Sequence, residues 1–97
     1  MRRAQAIALL SARLPELRRR YAVRALSVFG SVARDEASDR SDVDVLVDFV
    51  SPPDFDGYFG LKEELEALLG TRVDLATRSM LKARIRPRVE AEAVDVA

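Results

Sequence analysis

Apolar and polar residues alternate along this chain with two different periods, and the switches between them mark its elements. From Ala4 to Arg13 the apolar positions Ile7, Leu10 and Leu14 recur at helical spacing. Pro15 then either ends that helix or opens a second short one through Leu17 to Tyr21. Val23 to Phe29 is short, rich in β-branched and aromatic residues and stopped by Gly30, which predicts a strand running into a tight turn. A loop or short helix is expected through Arg34 to Arg40. Beyond it, Val43, Val45 and Val47 alternate with Asp42, Asp44, Leu46 and Asp48, so a strand there turns its valines to one face and its acids to the other. Pro52 and Pro53 terminate it.

After that break, Tyr58, Leu61, Leu65 and Leu68 follow a three-four-three spacing with Gly70 just past the end, the pattern of an amphipathic helix with a glycine cap. This stripe is core packing. Thr71 to Thr77 contains Val73-Asp74-Leu75, a brief strand, and Ser79 is placed to cap a final helical stretch carrying Leu81, Ile85 and Val89. Pro87 should break or kink that stretch. No internal repeat, linker or low-complexity tract interrupts the order. The fold class is therefore α/β (α+β), a small mixed sheet flanked by helices.

Composition narrows the chemistry. With 97 residues, 48% of them apolar, residues 1–97 are expected to form one domain around one core. Sixteen basic residues balance sixteen acidic ones, so overall charge exerts no long-range pull toward nucleic acid or an anionic membrane. Nucleic acid is not the expected partner. There is no cysteine and no histidine, which removes thiolate and imidazole as nucleophiles, neutral-pH bases and metal ligands. Carboxylates, hydroxyls, lysine and arginine remain, and oxygen ligands imply a hard cation. No apolar run approaches the roughly 18 residues that span a bilayer, so a soluble, cytoplasmic protein is expected.

The informative constellation is Gly30-Ser31, ten intervening residues, then Asp42-Val43-Asp44. Glycine permits a close backbone approach that lets amides and the Ser31 hydroxyl reach phosphate oxygens. Two aspartates one residue apart on a strand project from the same face, near enough to hold one or two Mg²⁺ ions. Without a cation, like charges about 4 Å apart at an effective dielectric near 20 repel by roughly 4 kcal/mol. Such a site recruits a further carboxylate from another strand, and Asp74, between Val73 and Leu75, is the candidate, to bind metal, accept a proton, or both.

Gly30-Ser31-x-Ala33-Arg34, followed by Ser41-Asp42-x-Asp44 and by Val73-Asp74-Leu75, resembles the DNA polymerase β-like nucleotidyltransferases. The small size and the closing Arg-Pro-Arg-Val-Glu-Ala-Glu-Ala-Val look like their minimal nucleotidyltransferase branch, the antitoxin half of two-gene modules whose toxin is an all-helical, ribonuclease-type (HEPN-type) protein. The resemblance implies the polymerase β-like fold and Mg²⁺-dependent transfer of AMP from ATP to a tyrosine hydroxyl of that toxin. It also implies that Gly30 and Ser31 contact phosphates, that Asp42 and Asp44 bind both metals and that Asp74 completes the site. Arg34 touches phosphate or braces the loop. One departure is visible: Asp35 stands where many relatives have glycine, and Glu36 follows. Their charge either weakens nucleotide binding or points to solvent.

Two alternatives stay open at this point: an antitoxin that neutralises its toxin by binding alone, and a nucleotidyltransferase acting on a small molecule or an RNA end. Asp48 and Asp54 are expected as solvated acids near a strand end and a proline-rich loop. The run Lys82, Arg84, Arg86 and Arg88 reads as a solvated face. Any excess apolar surface on the first helix is the candidate for a homodimer or toxin interface.

Overall fold

The computed structural model describes residues 1–38 and 41–96. Helix α1 (Arg3–Tyr21) opens the chain. It is continuous, where the sequence suggested a break at Pro15. Ala6, Leu10, Leu14 and Leu17 form one buried stripe on both sides of that proline. Burying three leucines at about 1.5–3 kcal/mol each outweighs the roughly 3 kcal/mol that an interior proline costs.

Strand β1 (Val23–Phe29) has the predicted bounds. Val23 and Leu26 sit an odd number of residues apart and would face opposite ways on a regular strand, yet both are buried. A register shift between Val23 and Ala25 restores the phase. Gly30 follows with φ +70 and begins a one-turn helix, α2 (Gly30–Ala33). The helical turn thus comes before Arg34, and residues 34–38 form turn and loop, one of the two forms expected there, while residues 39 and 40 lie outside the described residues. Strand β2 (Val43–Phe49) buries Val43, Val45 and Val47 as its alternation requires.

Helix α3 (Phe55–Leu69) ends at Gly70, which takes the left-handed conformation with φ 69. It buries Leu61, Leu65 and Leu69, while Tyr58 and Leu68 are partly covered at the margin. Its first turn is capped by Asp54, whose side chain accepts from the Gly57 amide at 2.7 Å. Asp54 is therefore a helix cap and not merely a solvated loop acid. Strand β3 (Val73–Ala76) is followed by a single 3₁₀ turn at Arg78–Met80, capped by Thr77 in place of Ser79.

The last helix, α4 (Arg86–Glu92), carries Pro87 in its first turn. Pro87 begins this helix and does not break it, because the missing N–H falls where an amide has no intrahelical partner anyway. A two-residue strand, β4 (Val94–Asp95), closes the chain. So short a strand leaves no periodicity to read.

The sheet order is β3-β2-β1-β4, with β1 antiparallel to both β2 and β4 and β2 parallel to β3. Helices α1 and α3 cover one face, where Leu10, Leu17, Val45, Val47, Leu61 and Leu75 share a single apolar cluster. Alternation sends Asp44 and Asp74 to the other face. No described helix is long and apolar enough to cross a membrane.

Candidate nucleotide and metal site

The parallel pairing of β2 with β3 sets Asp44 opposite Asp74. Neighbouring strands run about 4.8 Å apart, so the two carboxylates rise side by side from the open face. Partial burial, followed by the charges of Asp74, Asp42 and Glu92, pushes the Asp44 carboxyl up to about 6, with Arg34 opposing the rise. Loss of hydration is the larger cause, and the neighbouring carboxylates add to it.

Asp42 stands just before β2, and its carboxylate lies 3.3 Å from Arg72 Nε. Among the described residues no three acidic side chains stand close enough to hold a metal. The register sets Asp44 beside Asp74, while Asp42 is paired with Arg72. That pair is weak, since Arg72 is 83% exposed and such surface contacts contribute about 0–1 kcal/mol. The donors here are carboxylate oxygens, the hard-ligand chemistry that Mg²⁺ takes, with two of them on adjacent strands and the third engaged by Arg72.

Beside these acids lies the glycine turn. A β-carbon built on Gly30 would stand 2.1 Å from Asp44 Oδ2, so any side chain there would displace that carboxylate. The turn also uses a positive φ that other residues resist. Ser31 is half-buried, and its side chain makes no hydrogen bond among the described residues. Both donors flanking it are engaged. The Gly30 amide donates to Glu92 Oε1 at 3.0 Å, and Arg34 Nη1 donates to Glu92 Oε2 at 3.0 Å. Arg34 Nε donates in turn to Glu36 Oε2 at 3.0 Å.

Asp35 adopts φ 57, a left-handed conformation that glycine takes with less strain. Its carboxylate accepts from the Arg3 amide at 2.7 Å and caps the start of α1. Neither Asp35 nor Glu36 is a free charge beside the turn.

Sequence reasoning missed Glu92 and Arg72. Glu92 is brought in by the pairing of Val94 with Val28 on β1, a contact between chain regions far apart that carries no local signal. Arg72 looks like any exposed residue before a strand. In the basic run, Lys82, Arg84 and Arg88 are exposed as expected. Arg86 is half-buried: its Nη2 donates to the Leu81 carbonyl at 3.2 Å, and its Nε is buried with no partner among the described residues.

Residues 10–96 match the nucleotidyltransferase domain family. The chain belongs to that family. This nucleotidyltransferase is 50% identical over 88 residues to the protein adenylyltransferase MntA of Thermococcus cleftensis, covering 91% of this chain and 89% of that protein. A solved structure described as a minimal nucleotidyltransferase superposes with a TM-score of 0.80 at 36% identity, covering 97% of this chain and 95% of the other. The fold also matches, with a TM-score of 0.66 at 18% identity, a chain from a complex of tri-AMPylated Shewanella oneidensis HEPN toxin with MNT antitoxin. That match covers 94% of this nucleotidyltransferase and 71% of the other chain. The chain is a minimal nucleotidyltransferase, and its four-stranded sheet flanked by helices is the architecture expected of one.

Proposed function

We propose that this nucleotidyltransferase acts as a single-domain antitoxin that transfers AMP from ATP to a tyrosine hydroxyl of a helical HEPN-type toxin, with Mg²⁺ required. The observation that carries this reading is the register of Asp44 against Asp74 beside a glycine turn packed against the Asp44 carboxylate. The identity to a protein adenylyltransferase supports AMP as the transferred group.

In the proposed reaction the tyrosine oxygen attacks the α-phosphorus of ATP, a new P–O bond forms, and the bond to the bridging β-phosphate oxygen breaks. Pyrophosphate leaves with the electron pair, and the tyrosine proton passes to Asp74. Asp44 and Asp74 would hold Mg²⁺, with Asp42 joining after release from Arg72. When bound, the cation supplies charge neutralisation on the triphosphate and on the departing pyrophosphate. The Ser31 hydroxyl and the Arg34 guanidinium orient the phosphate chain, and Gly30 keeps the turn close to Asp44.

The test uses ATP labelled at the α-phosphate, Mg²⁺ and a cognate HEPN-type toxin. Label on the partner's tyrosine is the expected result, lost in Asp44→Asn and in Asp74→Asn. Unlabelled partner in a folded, mixed sample overturns the assignment. If neutralisation of the partner survives in the doubly substituted Asp42→Asn/Asp44→Asn protein, inhibition works by binding alone.

A further inference from the structure

Glu92 falls in the closing stretch of the chain, to which the sequence assigned no site role, yet its carboxylate reaches the Gly30 turn. Its two oxygens are used separately: Oε1 accepts the Gly30 amide and Oε2 accepts Arg34 Nη1, each at 3.0 Å. The side chain is only 21% exposed, so this is not a loose surface ion pair. Charge-assisted bonds of this length are among the stronger contacts a folded chain makes.

What holds Glu92 there is the end of the sheet. Two residues after it, Val94 pairs with Val28. Asp95 accepts from the Ser27 hydroxyl at 2.9 Å, and the Val96 amide donates to the Leu26 carbonyl at 2.9 Å. These bonds fasten β4 along β1, the strand that leads directly into Gly30. One carboxylate therefore ties α4 to the turn, while β4 fixes the position from which it reaches. Any displacement of the turn is passed to Asp44, since the Gly30 α-carbon rests against that carboxylate.

We propose that Glu92 is the positioning residue of the glycine turn, clamping the Gly30 amide and the Arg34 guanidinium so that Ser31 and Arg34 meet the triphosphate at a fixed distance from Asp44. The role rests on the nucleotidyltransferase reading above. Arg34 has five N–H donors in a rigid fork. Glu92 uses one of them and Glu36 another, which leaves donors for a phosphate oxygen while the clamp stays closed. Glu92 is not a ligand in this scheme. Its negative charge is offset by Arg34 and adds nothing attractive for the triphosphate.

Two measurements test it. The first needs no nucleotide: exchange of the Gly30 amide proton, followed by NMR in wild type, Glu92→Ala and Glu92→Gln. The alanine variant should lose protection at Gly30 and move the Arg34 side-chain resonances. The glutamine variant, which keeps one acceptor, should fall between. Unchanged Gly30 exchange in a folded Glu92→Ala protein overturns the clamp.

The second is calorimetry with Mg²⁺ and a non-hydrolysable ATP analogue. Loss of the clamp should raise the Kd for Glu92→Ala by roughly tenfold or more, the size of effect a charge-assisted contact carries, with partial rescue in Glu92→Gln. Combining Glu92→Ala with Arg34→Ala should cost little beyond Arg34→Ala alone. Tighter binding in Glu92→Ala overturns the proposal, because it would make the carboxylate a competitor of phosphate. A wild-type protein that ignores the analogue while the exchange experiment succeeds places the failure in the nucleotidyltransferase reading, and the positioning role falls with it. Should Glu92→Ala fail to fold, Glu92→Gln carries both measurements.

Discussion

Gly30 and Asp44 are in contact along a direction that leaves no room for a methyl group: a β-carbon on the glycine would lie 2.1 Å from the aspartate's Oδ2. The obstructing atom is the end of a short side chain, so Gly30→Ala has an easy escape in swinging the carboxylate aside. The positive φ adds about 1 kcal/mol of strain. We expect Gly30→Ala to stay folded, with a modest drop in melting temperature, while AMP transfer falls by about a hundredfold or more because a misplaced catalytic group costs that much. Parallel melting curves and transfer assays check the separation. Equal losses of stability and activity would argue against it.

Asp44 has a second consequence, for pH. Its carboxyl is raised to about 6 from an ordinary value of 3.8, so the folded protein binds this proton more tightly than the unfolded chain does. The associated stability is fully present below about 3.8 and is lost as pH rises through about 6. Asp44→Asn should therefore melt higher than wild type at pH 8 without divalent cations, by about 1 kcal/mol after allowance for solvent screening. Near pH 3.5 the difference should vanish. Adding Mg²⁺ at pH 8 should stabilise wild type and leave the variant unmoved; an equal response from both would remove Asp44 from the metal site.

Arg72 holds Asp42 in a 3.3 Å pair and would compete with the cation proposed to bind there. Because the arginine is largely exposed, Arg72→Ala should leave stability within about 0.5 kcal/mol. The apparent Mg²⁺ affinity in the presence of nucleotide should tighten by up to about fivefold, the equivalent of roughly 1 kcal/mol. A weaker affinity would mean that Arg72 serves the site and does not oppose it.

At Asp35, strain and capping pull in opposite directions. Asp35→Gly relieves the left-handed φ of 57 but gives up the bond to the Arg3 amide; the two changes, each about 1 kcal/mol, should nearly cancel in denaturant unfolding. Asp35→Ala keeps the strain and loses the cap, so it should be the less stable variant by about 1 kcal/mol. Nucleotide affinity should be unchanged in both. A gain in affinity for either would show that the carboxylate does act on the triphosphate.

The elements legible in the sequence were those whose pattern is complete within a few residues. Val43, Val45 and Val47 announce β2, and Tyr58 to Gly70 announces α3 with its cap, because burial on one face imposes a local period. The open-face placement of Asp44 and Asp74 follows from the same periodicity. What stayed hidden depends on distant partners. The continuity of α1 through Pro15 requires the sheet beneath it, and β4 exists only because Val28 offers an edge to Val94. Glu92 enters the site through that pairing. Asp54 is a different kind of miss: an acid just before an apolar run is a recognised capping signal, and the neighbouring prolines obscured it.

The parallel pairing of Asp44 with Asp74 also acts as a proofreading device for folding. Side chains on a strand alternate strictly, so sliding β3 along β2 by a single position would plunge Asp74 among the valines and lift a greasy neighbour into water. A misaligned chain would present one acid where the proposed magnesium site needs two. With the ion held as proposed, responsiveness to it would read out correct strand alignment, and the cation would favour molecules that have folded in register.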